Sequence, residues 1–146
     1  MDVSVNHNWI PVDNRPGVPY CFPQPLPKGF RGKWSVPAIY RWVVFRDHPG
    51  DLRRLYIGET DQLGRRIYGY LNPGVSQFTN QRIKARFEDE ISSGCKVVLE
   101  VLHFDPFALQ GISISEADLA DKAVRRMLEN LFVVFFTRSG YQVLNA

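Results

Sequence analysis

Tyrosines in two short apolar segments are the first side chains of this sequence that could do chemistry. Tyr40 lies in Ala38–Phe45 (AIYRWVVF) and Tyr56 in Leu55–Gly58 (LYIG), both rich in the β-branched and aromatic residues typical of strands. Side chains alternate along a strand, so Tyr40 shares a face with Trp42, and Tyr56 of a neighbouring strand could stand beside it. Two phenols on one face indicate either a cross-strand aromatic pair, the commoner case, or a pair of polar groups aimed at a substrate.

An arginine in the helix predicted after these strands is the second candidate. The helix has an apolar stripe at helical spacing, at Leu63, Ile67 and Leu71. At about 100° per residue, Arg66 and Tyr70 border that stripe, whereas Arg65 points away from it. An arginine at the edge of a packed face can meet a phosphate where charge-assisted contacts are strong. The alternative is an amphipathic arginine whose stem packs and whose head reaches water.

A carboxylate in the longest predicted helix is the third candidate. Glu129 is followed on its side of the helix by Phe132, Val133 and Phe136. One interpretation is an i,i+4 ion pair with Arg125, worth only ~0.3–0.5 kcal/mol at a surface. The other is a ligand for Mg²⁺, which proteins commonly hold with one or two carboxylates, water and substrate phosphate.

Basic charge is concentrated in one part of the chain. The 146 residues carry 18 Lys and Arg against 15 Asp and Glu, a net charge of +3. Between Lys28 and Arg86 there are 12 basic and 4 acidic side chains, whereas the residues from Phe87 onward include 5 basic and 9 acidic ones. Most of the basic residues are arginine, whose planar fork matches phosphate oxygens. The pattern indicates either a nucleic-acid face or an unevenly charged solvated surface.

Several functional classes are disfavoured by what the sequence lacks. Cys21 and Cys95 form no CxxC pair and no histidine is near them, so we expect no zinc site and a reducing compartment. The absence of GxxxxGK[ST] and GxSxG argues against a nucleotide cofactor in a P-loop and against an α/β-hydrolase serine. The longest apolar run, Leu131–Phe136, is far shorter than the ~20 residues of a membrane span. We therefore expect a cytoplasmic protein with no membrane partner.

Proline content and turn residues predict the arm, strands and helices in the first part of the chain. Six of the ten prolines lie in Pro11–Pro27, so residues 1–34 are expected to form a partly packed N-terminal arm and residues 35–146 the domain. The two tyrosine-bearing strands are predicted to pair as an antiparallel hairpin, and the arginine helix follows them. A second helix is predicted from the stripe Ile83, Phe87 and Ile91, capped by Thr79 or Asn80 and ended by Gly94.

The second half of the chain completes the fold. Lys96–Phe104 has the clearest strand pattern, and Pro106–Ser113 is predicted to be a loop. Ser115 and Asp118 stand at capping-box spacing before a long helix predicted from Glu116 to about Phe136, and Tyr141–Asn145 could be a final short strand. The order hairpin, helix, helix, strand, helix predicts an α+β fold with a small, mostly antiparallel central sheet flanked by helices.

In their order and spacing, these residues resemble the GIY-YIG nuclease family. The tripeptide AIY at 38–40 matches the first element with Ala in place of Gly, and YIG at 56–58 matches the second. In the family an arginine follows the YIG glycine by eight residues inside a helix, and here that residue is Arg66. Glu129 before LFVVFF resembles the helix that bears the family's invariant glutamate, and Asn145 resembles its late asparagine. The resemblance covers about three-quarters of the chain.

The resemblance implies Mg²⁺-dependent hydrolysis of phosphodiester bonds in DNA by an endonuclease. By analogy Glu129 would hold the metal, for which Mn²⁺ could substitute, and Arg66 would stabilise charge on the phosphoryl oxygens. Tyr40 or Tyr56 would orient or deprotonate the attacking water. Tyr70 matches a family position one turn after the arginine. Asn145 is carried over as a site residue in the same way.

One position departs from the family pattern. Some members place a lysine directly after the YIG glycine, which would lower the pKa of a phenol from its reference value of ~10. This sequence has Glu59 there. The choice of base between Tyr40 and Tyr56 therefore stays open. A catalytically inactive nucleic-acid-binding module of the same fold is the alternative function, and a protein-interaction domain is a third.

Partners and assembly are expected to follow from the basic segment. Cations that could grip DNA phosphates on either side of the scissile bond are Arg65, Arg82, Lys84 and Arg86, joined by Lys33 of the arm. No second DNA-binding domain or zinc finger is expected. We anticipate a small nuclease that acts as a monomer or homodimer in restriction, repair or phage biology.

Overall fold

The computed structural model describes residues 4–48 and 50–145, and its centre is a five-stranded sheet. The strands of this sheet are β1 (His7–Pro11), β4 (Ala38–Phe45), β5 (Arg54–Thr60), β6 (Lys96–Phe104) and β9 (Gln142–Val143). Two small hairpins pair β2 (Asp13–Arg15) with β3 (Val18–Pro19) and β7 (Phe107–Leu109) with β8 (Ile112–Ile114). The sheet order is β1-β6-β4-β5-β9, and only the short β5–β9 pairing is parallel.

Helices cover both faces of this sheet. They are α1 (Phe30–Lys33), α2 (Leu63–Leu71), α3 (Phe78–Ser92) and α4 (Lys122–Arg138), with a 3-10 helix at Glu116–Ala120. The predicted α+β fold, a mostly antiparallel sheet flanked by helices, is confirmed. Over the described stretches, 4–48 and 50–145, no helix combines the length and the apolar character that crossing a membrane requires.

The core consists of two clusters, one on each face of the sheet. On the first, which we call the tyrosine face, Tyr40 and Trp42 pack against side chains of α2, α3 and the N-terminal segment. On the second, the α4 face, the alternate residues Ile39 and Val43 pack against α4. Strand β4 is central and hydrogen-bonded on both sides, so its side chains are buried on both faces.

The N-terminal segment contributes more than a wrapping layer. Strand β1 pairs antiparallel with β6 over its whole length, and Pro11 ends it at the edge of the sheet, where a missing donor is tolerated. Val12, Tyr20 and Phe22 are buried in the core of the tyrosine face. The boundary at residue 35 stays a prediction, but the residues before it already build this core.

The start of α3 differs from the predicted one. The N-cap position is Gln77, whose side chain makes no capping bond, so the predicted cap at Thr79 or Asn80 is wrong. Asn80 is instead buried, and its amide donates to the Gln77 carboxamide at 3.3 Å. Thr and Asn are both good N-caps, so the sequence pattern favoured these two residues. In the structure the Gln77 side chain accepts a hydrogen bond from the Gly74 N–H and holds the turn before α3.

Two predictions in the second half are also wrong in detail. The predicted loop at Pro106–Ser113 contains the β7–β8 hairpin, whose turn places Gln110 and Gly111 at positive φ. The Ser115–Asp118 capping box is present, but it caps the 3-10 helix. Asp121 then caps α4 by accepting from the Ala123 N–H at 2.8 Å, so the single predicted helix is divided in two.

Candidate active site

Tyr40, Tyr70 and Arg66 form one hydrogen-bonded cluster at the edge of the tyrosine face. The hydroxyls of Tyr40 and Tyr70 lie 2.7 Å apart, and Arg66 Nε donates to the Tyr40 hydroxyl at 3.1 Å. The Arg66 guanidinium also lies over the Tyr70 ring, 4.9 Å from its centroid. Both tyrosines are fully buried, while Arg66 is partly exposed. The structure thus joins Tyr40 of β4 to Arg66 and Tyr70 of α2, two elements that the sequence alone left apart.

Gly58 makes room for the Tyr40 ring. The two residues are direct cross-strand partners in β4 and β5. A Cβ atom built on Gly58 would overlap the ring and hydroxyl of Tyr40. The glycine of the YIG tripeptide is therefore required here by packing, and any larger residue would push the phenol away from Arg66.

Helix α2, which carries Arg66 and Tyr70, is anchored by the N-terminal segment. No side chain caps it; instead, its first two amides, of Leu63 and Gly64, donate to the carbonyls of Val36 and Trp34 at 2.9 and 2.8 Å. A Cβ at Gly64 would come within 2.8 Å of the Arg31 Cα, so α1 lies directly against the start of α2. The position of the cluster along the sheet depends on this contact.

Tyr56 is the phenol of the site that is least withdrawn from solvent. It is half-buried, on the tyrosine face, opposite Trp42 in the pairing of β4 with β5. Burial raises the pKa of its hydroxyl, and Tyr70 and Glu129 raise it further, although Arg66 opposes them. Burial likewise raises the pKa of Tyr40 and, strongly, that of Tyr70. All three phenols are therefore protonated at neutral pH in the free protein.

Arg66 stays charged despite its partial burial. Burial alone would lower its pKa, but the electrostatic and hydrogen-bond contributions of Tyr40 and Tyr70 outweigh that effect, and the pKa rises. The positive charge is thus held in a partly desolvated setting, where its attraction to a phosphate is stronger than in water.

Two carboxylates approach the site from the α4 face. Glu59 Oε2 accepts from Arg125 Nε at 2.7 Å, and the buried Arg125 also donates to the carbonyls of Leu119 and Ala120. The alternative pairing of Arg125 with Glu129 is therefore not the one formed. Glu129 is half-buried and is in no ion pair with any described residue. Burial raises its pKa, as does the charge of Glu59, while Arg66 and Arg126 counteract them.

A polar cleft of about 480 Å³ opens beside this cluster. Its charged lining residues are Glu59, Asp61, Arg65, Arg66, Lys122 and Arg125, and its neutral ones are Thr60, Gly69, Gln77 and Asn80. Four of the six charged side chains are cationic, so the cleft is suited to an anionic ligand. Arg66 connects it to the phenols, because the same side chain lines the cleft and bonds Tyr40.

Asn145 has a supporting position. Its side-chain oxygen accepts from the Ile57 N–H at 2.9 Å, and its amide nitrogen donates to the Ile57 carbonyl. Strand β9 pairs with β5 only at Arg54 and Leu55, so Asn145 continues that pairing with a side chain. It holds the backbone of β5 between Tyr56 and Gly58.

The residues predicted to bind DNA are distributed over several surfaces. Arg65 lines the cleft and pairs with Asp61 at 2.8 Å. Lys84 Nζ donates to the Leu71 carbonyl and so caps the end of α2. The others lie outside the cleft: Arg82 is exposed, Arg86 pairs with Glu90, and Lys33 lies over the Trp34 ring.

The sequence identifies few of the residues that line the cleft. Lys122 and Asn80 were not considered as site residues, and Arg125 was weighed only as a partner of Glu129. No local signal links Arg125 to Glu59, since the two are 66 positions apart. Glu59 was the one sequence feature that indicated such a partner, because a carboxylate next to a predicted site is expected to pair with a cation.

A divalent metal at this site would have a single carboxylate ligand. Within residues 4–48 and 50–145, no group of three His, Cys, Asp or Glu side chains is arranged to hold a metal. Glu59 is engaged by Arg125, whereas Glu129 has no ion-pair partner there. Mg²⁺ is often held by one or two carboxylates with water and substrate phosphate, so Glu129 fits a site of that kind.

Comparisons of the chain with protein-family models, with curated proteins and with solved structures find no match.

Proposed function

We propose that this protein is a Mg²⁺-dependent endonuclease that hydrolyses phosphodiester bonds in DNA. The observation that carries the proposal is the position of Arg66, which lines a cationic cleft while its Nε is bonded to the Tyr40 hydroxyl. The match of AIY, YIG, Arg66, Glu129 and Asn145 to the GIY-YIG motifs supports it. The first two elements lie on the paired strands β4 and β5, Arg66 on α2, Glu129 on α4, and Asn145 is bonded to β5.

Each side chain of the cluster has a role that its surroundings favour. Arg66 binds the non-bridging oxygens of the scissile phosphate and stabilises the charge that develops there. Tyr40 and Tyr70 hold the guanidinium in place, because both are buried and bonded to each other. Tyr56 is the phenol best placed to orient the attacking water, since it is only half-buried.

Glu129 would hold the metal, with Mn²⁺ as a substitute for Mg²⁺. When bound, the metal would polarise the phosphate and neutralise the leaving oxygen. Burial and Glu59 raise the pKa of Glu129 in the metal-free protein, and a bound cation would favour its ionised form. DNA would be held by Arg65 in the cleft and by Arg82, Lys84, Arg86 and Lys33 outside it. We further propose a cytoplasmic monomer or homodimer.

A binding module of the same fold without turnover is the second candidate. The observation that favours it is Glu59, which stands where a lysine would lower a phenol pKa and which is instead bonded to Arg125. Salt-sensitive DNA binding without cleavage in Mg²⁺ or Mn²⁺ would establish this candidate.

The test uses two adjacent arginines of α2. The purified protein is incubated with plasmid, branched and single-stranded DNA in Mg²⁺, and then in EDTA. Arg66→Ala is expected to lower the cleavage rate about 10²–10³-fold. Arg65→Ala should lower it only a few-fold and should also weaken the salt dependence of DNA binding. Equal activity of the two variants, or cleavage that persists in EDTA, would contradict the proposal.

A further inference from the structure

Two large apolar side chains next to the cleft are left almost bare. Val75 is 92% exposed and Phe78 is 74% exposed. Val75 lies in the turn between α2 and α3, and Phe78 is the first residue of α3. Single exposed apolar residues are common on protein surfaces, so exposure alone gives no reason to assign them a role.

The turn that presents them is firmly hydrogen-bonded. The Gly74 N–H donates to Gln77 Oε1 at 3.0 Å, and the Gln77 N–H donates to the Gly74 carbonyl at 3.0 Å. Gln81 Nε2 donates to the same carbonyl at 2.7 Å. Gln77 also lines the cleft. The backbone that carries the two side chains is thus held beside the cleft, and a backbone that is already ordered loses little entropy on association.

The stretch of sequence that carries this pair has charge of one sign. From Gln62 to Phe87 the chain carries five cations, Arg65, Arg66, Arg82, Lys84 and Arg86, and no carboxylate. Arg82 is one turn after Phe78 on the same side of α3 and is exposed. Leu52, another strongly exposed apolar residue, has neighbours of both signs, since it lies between Asp51 and the pair Arg53 and Arg54. An occupant must therefore combine negative charge with flat apolar surface.

We propose that Val75 and Phe78 form a stacking surface for unpaired bases of a nucleic-acid strand whose phosphates are held by the neighbouring cations. The proposal deepens the proposed function and rests on it for the identity of the polymer. A paired duplex keeps its bases inside the helix, whereas an unpaired strand offers a π-face for an aromatic side chain. The preferred substrate class is thus DNA with unpaired bases next to the bond that is cut.

The experiment measures binding and does not depend on cleavage. Wild-type protein, Phe78→Ala, Phe78→Trp and Phe135→Ala are titrated in EDTA against an oligonucleotide that carries 2-aminopurine, as a single strand and as a blunt duplex. Phe135 is a matched control, since it is a half-exposed phenylalanine on α4. Phe78→Ala is expected to bind the single strand about 10-fold more weakly and the duplex less than about twofold more weakly. Phe78→Trp should restore binding, and Phe135→Ala should not change it.

Three results would overturn the proposal. The first is an equal loss of affinity of Phe78→Ala for single strand and duplex, and the second is no loss for either. The third is that Phe78→Ala loses binding to phosphatidylserine vesicles and not to DNA, which would identify a membrane surface. The two proposals can fail separately. If no DNA is cut but the single-strand pattern is as expected, only the nuclease activity is wrong; if DNA is cut and Phe78→Ala binds normally, only the stacking surface is wrong.

Discussion

The two faces of the sheet use the same strands in different ways. On the α4 face, Ile39 and Val43 meet the apolar stripe of α4, and the buried charged groups are held in ion pairs, Arg41 with Glu100 and Arg125 with Glu59. On the tyrosine face, the hydroxyls of Tyr40 and Tyr70 are buried within the core itself. Polar groups are thus buried in two ways: as carboxylate–arginine pairs on the α4 face and as two neutral hydroxyls beside Arg66 on the tyrosine face. The candidate site forms where α2 from one face and α4 from the other meet β5.

The largest effect is expected from the α4 face. Leu128→Ala removes a fully buried side chain from α4 and should lower the free energy of unfolding by about 3 kcal/mol. Leu131→Ala, on the same helix but 37% exposed, should cost less than about 1 kcal/mol. Urea unfolding measures both. If the two variants were equally destabilised, the α4 face would not be the apolar support described above.

The tyrosine face should be sensitive to added volume. Gly58→Ala places a methyl group against the Tyr40 ring and should cost about 2 kcal/mol, a loss that disappears in a Tyr40→Ala background. Gly69→Ala in α2 is the matched control: its Cβ would meet only Asn80 Nδ2 at 3.4 Å, so we expect no loss or a gain of up to ~1 kcal/mol. If urea unfolding showed that the losses of free energy from Gly58→Ala and Tyr40→Ala simply add, this packing would be contradicted.

The link between the two faces at β5 can be tested through Asn145. Asn145→Ala leaves the Ile57 N–H and carbonyl without their partners and should cost about 1–2 kcal/mol. Asn130→Ala, an exposed position on α4, should change stability by less than about 0.5 kcal/mol. Hydrogen exchange should show faster exchange of the Ile57 amide in Asn145→Ala alone. Unchanged protection of the Ile57 amide in Asn145→Ala would show that Asn145 does not support β5.

The smallest effect concerns pH and Glu129. The pKa of this carboxyl is higher in the folded protein than in the unfolded chain, so its stabilising contribution is present below the ordinary glutamate pKa and is lost as pH rises through the raised value. Glu129→Gln should therefore gain stability relative to the wild type between pH 4 and pH 7.5. Urea midpoints at the two pH values measure the change. A relative loss over that interval would mean that Glu129 is stabilised as the anion.

Much of the fold could be predicted because its central strands carry strong local patterns. Strands β4 and β6 begin and end at the predicted residues, and α2 follows the stripe that begins at Leu63. The helical wheel placed Arg66 at the border of the packed face, where it lies. What local pattern could not supply was long-range pairing: β1 pairs with β6, which is far along the chain, and the carbonyls of Trp34 and Val36 cap α2.

The candidate site was predictable in residue types but less so in their roles. The wheel gave Arg66 and Tyr70, yet the bond from Tyr40 to Tyr70 depends on the register that sets Tyr40 against Gly58. Arg125 was paired with the wrong glutamate, because i,i+4 spacing was visible in the sequence and the approach of β5 to α4 was not. Asn145 likewise depends on where β9 stops pairing, which no local pattern determines.

Groups from the two faces are proposed to act together on a phosphodiester bond, and substitution of Glu129 tests this most directly. Single-turnover cleavage of labelled DNA in Mg²⁺ is compared for the wild type, Glu129→Gln and Glu88→Gln, the last an exposed glutamate on α3. Glu129→Gln is expected to lose at least about 100-fold in rate while its DNA binding in EDTA is retained, and Glu88→Gln is expected to cleave normally. Cleavage by Glu129→Gln at the wild-type rate would contradict this proposal.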